Sequence, residues 1–76
     1  MELSLAQKNV LRSMNGINLS LTGEYVFVGT FGTVLSNLEK KGLLTYRREE
    51  TDRVRYYARL TRFGSDFIYN GGIDGE

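Results

Sequence analysis

Between residues 51 and 61 the chain reads TDRVRYYARLT, and its basic residues recur at a spacing that chemistry could use. Val54, Tyr56, Ala58 and Leu60, counted by twos, form the buried face of a strand. The alternate positions are Arg53, Arg55, Tyr57 and Arg59, a row of one charge sign with a phenol ring in it. A row of guanidinium groups on an extended chain suits a polyanion, because each can neutralise a phosphate and release its condensed counterion. The charge of the whole chain conceals this, being only +1. Residues 40–62 hold eight Lys and Arg against three Asp and Glu, a local balance of +5, and the remainder carries −4. That asymmetry is the footprint of a nucleic-acid partner, or of a basic hairpin that is merely solvated.

A second set of side chains could read rather than hold. If residues 30–41 are helical, one side presents Thr30, Thr33, Ser36, Asn37 and Lys40, which are mostly short hydrogen-bonding groups. Side chains of this kind contact base edges, and Asn37 could bond adenine in bidentate fashion. Lys40, Lys41 and Arg47 would add phosphate contacts. Tyr46, Tyr56 and Tyr57, interleaved with arginines, suit either stacking on unpaired bases or half-buried packing with a wet hydroxyl. Catalysis is not expected. The chain has no His and no Cys, which removes the Ser/His/Asp and Cys/His arrangements, and no motif implies a cofactor or a metal. Glu49 and Glu50 fall on an expected turn, where no pocket could tune their pKa.

These groups need a frame, and 76 residues supply one domain, expected over 1–72 with a frayed tail at 73–76. Ser4 followed by Gln7 resembles a capping box and opens a helix over 5–15, with Ala6, Val10, Leu11 and Met14 inward and Asn15-Gly16 as its stop. Residues 17–28 carry conflicting signals. The Tyr25-Val26-Phe27-Val28 run favours extended chain, yet a short helix could start at Asn18 or Ser20. Phe31, Val34, Leu35 and Leu38 then mark an amphipathic helix over 30–41, ended by Gly42. Thr45–Arg48 and Arg53–Leu60 read as a hairpin across residues 49–52. Thr61 caps a last helix that Asn70-Gly71-Gly72 stops. Phe31, Phe63 and Phe67 are assigned to the core. No apolar run approaches the ~20 residues of a membrane span, and a cytoplasmic, nucleoid-associated protein is expected.

The order helix, unsettled segment, helix, hairpin, helix is that of a winged helix: an α+β fold in which a helix bundle carries a two-stranded wing. LSLAQKNVLRSM resembles the opening helix of MarR-type regulators, L-T-P-A-Q-x-x-V-L-R-x-L. GTFGTVLSNLEKKGLL is similar to the recognition helix of the MarR and PadR types. TDRVRYYARLTRFG resembles their wing, with Asp52, Leu60, Thr61 and Gly64 at matching spacing. The resemblance spans roughly residues 3–64. It implies a transcriptional regulator with the helix at 30–41 in the major groove of double-stranded DNA and the 44–60 hairpin on the phosphates. The region of the second helix is about five residues short of that pattern, Val54 stands at the wing-arginine position, and the long dimerisation helices are missing. Pairing of two copies is therefore expected through Tyr25–Val28 or on DNA itself, with no small-molecule effector. The competing expectation is a winged-helix adaptor that offers the arginine row and Tyr25–Val28 to a partner protein.

Overall fold

The computed structural model of the chain describes residues 2–14 and 23–73. They form helix α1 (Leu5–Met14), strand β1 (Tyr25–Val28), helix α2 (Gly32–Lys40), strands β2 (Leu44–Glu50) and β3 (Val54–Leu60), and helix α3 (Arg62–Tyr69). The architecture is a small α+β domain with three helices and a three-stranded antiparallel sheet in the order β1-β3-β2.

Local chemistry sets most of the boundaries. At the start of α1 the Ser4 amide donates to Gln7 Oε1 at 2.8 Å, and the Gln7 amide donates to Ser4 Oγ at 3.2 Å. This reciprocal pair is the expected capping box. Val10, Leu11 and Met14 are buried, whereas Ala6, expected beside them, is exposed. The stop at Asn15-Gly16 and the candidate helix starts at Asn18 and Ser20 lie outside the described residues. Helix α2 ends in a Schellman turn: the Leu43 amide donates to Leu38 O at 3.1 Å and the Gly42 amide to Glu39 O at 2.9 Å. Gly42 has φ +80°, a left-handed conformation that a side chain would oppose, so the chain reverses there into β2.

The sheet departs from the two-stranded expectation in two ways. Tyr25–Val28 adds a third strand, paired with β3 so that Val26 stands opposite Tyr57 and Val28 opposite Arg55. Its β-branched and aromatic residues suit a pleated surface better than a helix. In addition, β2 runs through Glu49 and Glu50, which stand opposite Arg55 and Val54, so the tip is Thr51-Asp52-Arg53 rather than 49–52. Arg47 pairs with Glu49 at 3.4 Å and Arg48 with Glu50 at 3.1 Å, each two residues along one face of the strand. Those contacts favour extended chain at positions where two adjacent glutamates suggest a turn.

One face of the sheet and the helices enclose the core. Leu11, Met14, Leu35, Leu38, Leu43 and Leu44 are fully buried, joined by Phe27, Tyr56 and Ala58 from the sheet. Thr61 caps α3, its hydroxyl accepting from the Gly64 amide at 3.0 Å, while its own amide donates to Leu43 O at 3.1 Å. The close seat of α3 on the Leu43 carbonyl requires Gly64 to face inward. Its neighbour Phe63, assigned to the core from sequence, is therefore swung outward and is 52% exposed. Phe31 and Phe67 pack against the core as expected. Ile73, expected in the tail, is buried with the core because the turn after α3 folds it back. Among the described residues no helix is long and apolar enough to cross a membrane.

Candidate nucleic-acid interface

Helix α2 gives Leu35 and Leu38 to the core, which leaves its other side to Thr33, Asn37 and Lys40, with Ser36 half-buried beside them. The start of the helix at Phe31 has no side-chain cap, so no threonine is consumed there. The Gly42 reversal brings β2 back alongside the helix, and the Tyr46 amide donates to Glu39 Oε2 at 3.3 Å across the join. In β2, Tyr46 and Arg48 share the face of buried Leu44, the face turned toward α2.

The consequence is a shallow groove of about 460 Å³ between Thr33, Ser36, Asn37 and Lys40 on the helix and Tyr46 and Arg48 on the strand. Tyr56 lies in its floor, its ring 6.1 Å from that of Tyr46. A second concavity of about 490 Å³ continues from it. Arg48 and Tyr56 line both, and the second adds Thr30 and Arg53 near the hairpin tip. A track of hydrogen-bonding and cationic groups therefore leads from the exposed side of α2, across the inner face of the hairpin, to its tip.

Of the residues singled out from sequence, the track gathers Thr30, Thr33, Ser36, Asn37, Lys40 and Arg53. Lys41 is the exposed C-cap residue of α2 and does not line the track. Arg55, Tyr57 and Arg59 do share one face, as their alternation predicts, but it is the face opposite Tyr56 and Ala58 and hence turned away from α2. Arg47 lies there too, directly across from Tyr57. Arg53 is thus the member of the row that reaches the helix side. Sequence reasoning passed over Arg48, the one cation common to both concavities. Its signal was the two-residue spacing from Leu44 through Tyr46.

Electrostatics differ between the two faces. On the helix side Arg48 pairs with exposed Glu50 at 3.1 Å, a kind of pair worth about 0–1 kcal/mol and readily exchanged for another anion. On the far side Arg47 bonds Glu24 and Glu49, each at 3.4 Å, and its guanidinium carbon sits 4.1 Å from the centre of the Tyr57 ring. The hydrogen bond with Glu24, then the attraction of that carboxylate, raises the Arg47 pKa further above its ordinary value.

At the tip, the Thr51 hydroxyl donates to Asp52 Oδ1 at 2.9 Å and holds the Asp52 carboxyl below its usual range, with backbone amides and Arg55 assisting. A depressed folded-state pKa stabilises the fold above the ordinary carboxylate value, and the contribution is lost as pH falls through the folded value. Thr51→Ala should therefore move the Asp52 titration upward, toward the ordinary carboxylate range. Carboxyl-carbon NMR shifts followed against pH would show it, and an unchanged titration would mean that the hydroxyl contact is not made.

No family model matches the chain, and no curated protein and no solved structure is significantly similar to it.

Proposed function

We propose that the chain binds double-stranded DNA in a sequence-dependent manner, as a winged-helix transcriptional regulator. Helix α2 enters the major groove and the inner face of the β2–β3 hairpin follows the phosphates. The observation that carries this reading is the continuous track in which Thr33, Ser36 and Asn37 lie beside Lys40, Arg48 and Arg53. A major groove ~12 Å wide admits a helix, and short hydrogen-bonding side chains can reach base edges from it. The cations beside them would fix the register on the backbone without reading sequence. Glu50 opposes a phosphate at the same place, so Arg48 must exchange its carboxylate for the DNA. Two copies on neighbouring half-sites would together read a two-fold symmetric site.

The test begins with a preferred site selected from a randomised duplex library. Asn37→Ala should cost ~1–3 kcal/mol on that site and little on random duplex, because base edges are read by hydrogen bonds. Thr33→Ala should do the same to a smaller extent. An unchanged ratio of specific to random affinity for both variants would show that α2 is not the reading element.

A further inference from the structure

The two edges of the sheet are finished differently. Gly29 extends β1 by donating its amide to Val54 O at 3.3 Å. Tyr25 and Phe27, which alternate with it, are therefore the residues of β1 whose backbone groups bond β3. The amides and carbonyls of Val26 and Val28 point the other way, along the outer edge of β1, and among the described residues no strand lies beyond them. At the opposite edge the Thr61 amide donates to Leu43 O and the Thr51 amide to Arg53 O, which turns the backbone of Tyr46, Arg48 and Glu50 outward. There the Tyr46 amide donates to Glu39 Oε2 at 3.3 Å, and Arg48 and Glu50 place charges along the strand. Proteins blunt a sheet edge with charges of this kind or by covering it. Among the described residues β1 has neither protection. Its sequence, YVFV, is uncharged, and Val26 and Val28 are 43% and 47% exposed.

We infer that β1 pairs with β1 of a second copy of the chain, antiparallel across a two-fold axis at Phe27, so that three strands from each copy make one continuous sheet. The register follows from the groups that face outward. Val26 of one copy stands opposite Val28 of the other, and their amides and carbonyls bond reciprocally. Phe27 meets Phe27 of the second copy on the axis as a non-hydrogen-bonded pair. A slip by one residue would set outward groups against inward ones, and a larger slip would leave a valine of each copy without its counterpart. On the outer face the row then runs from Arg47 through Tyr57 and Val26 to Val28 and Arg55 of the second copy. Valine meets valine at the seam, and no charge lies directly across it from a like charge. The same edge thus supplies donor for acceptor and side chain for side chain, which is the self-complementarity of a two-fold interface. A seam of this length is short, so the pair dissociates on dilution. The pairing rests on the sheet edge and does not depend on DNA binding.

The test is sedimentation velocity of the full chain without DNA, from about 10 μM to about 1 mM. The sedimentation coefficient of the parent should rise with concentration toward that of a dimer. Val26→Lys/Val28→Lys sets lysine opposite lysine and should raise the dissociation constant at least about tenfold, as should Val26→Glu/Val28→Glu. An equimolar mixture of the two variants should associate again, because each lysine then faces a glutamate. Unfolding midpoints of the variants serve as the control for folding. In the unmodified chain, an isotope-filtered NOE between the Phe27 Hα of a labelled copy and that of an unlabelled one should report the axis, since Cα atoms of such a pair approach to about 4.5 Å. That signal decides the question should either variant fail to fold. A parent that stays monomeric throughout, a lysine variant that associates like the parent, a mixture of folded variants that stays monomeric, or an associated parent without the Phe27 signal would each overturn the proposal. A dimer that ignores duplex DNA would leave it standing and contradict only the proposed function.

Discussion

Gly64→Ala should destabilise the fold by about 3 kcal/mol or more, among the large effects that overpacking produces. Gly64 is buried in the first turn of α3, and a Cβ there would come within 1.8 Å of the Leu43 carbonyl oxygen. No rotamer relieves that contact, because both sides of it are backbone. The helix would have to lift, which strains the bond from the Thr61 amide to the same carbonyl and the cap from Thr61 to the Gly64 amide. In a domain of this size, stabilised by only ~5–10 kcal/mol, such a loss lowers Tm by roughly 12–24 °C. The sign is the informative part. In an unobstructed helix, alanine is better than glycine by about 1 kcal/mol. Thermal unfolding followed by circular dichroism would decide. A Tm at or above that of the parent would show that α3 does not rest on Leu43.

The second large effect concerns DNA. Lys40→Ala/Arg48→Ala should weaken binding to random duplex by about 10²-fold or more, with an intact fold. Hydrogen bonds to charged groups are worth ~1.5–3 kcal/mol each, and both residues are exposed. Arg55→Ala should change the same affinity by less than about threefold, because its charge lies across the sheet and is screened over ~8–10 Å. Fluorescence anisotropy with a labelled duplex at fixed salt measures both. Equal losses in the two variants would mean that the backbone is followed by the far side of the hairpin.

That contrast bears on how much of the protein is legible in its sequence. Ser4 with Gln7, Gly42 after Lys41, and Thr61 before α3 announce their turns because each acts within a few residues, and the structure contains all three. The hairpin is legible from its period, but its tip is not, since Glu49 and Glu50 are kept in the strand by contacts with Arg47, Arg48 and their cross-strand neighbours. The placement of Phe63 depends on how closely α3 approaches Leu43, a tertiary fact that no local pattern encodes. The arginine row is the instructive case. A row opposite the buried face of a sheet must point away from whatever buries it, so the alternation of Val54, Tyr56, Ala58 and Leu60 already excludes Arg55 and Arg59 from the helix side. The resemblance to winged-helix regulators sets hairpin beside helix and says nothing about which side of the hairpin is presented. Arg48 was hidden for the converse reason, lying next to Arg47 in a run of charges whose two members face opposite ways.

The most direct measurement of the central claim is the affinity of the unmodified chain for random duplex DNA as salt is raised. Lys40, Arg48 and Arg53 on the track would neutralise about three phosphates, so log K should fall against log salt with a slope near −3 per bound chain, at ~0.9 per contact. Arg48→Ala should make that slope shallower by about one, and Arg55→Ala should leave it unchanged. A flat salt response of the unmodified chain would contradict the account.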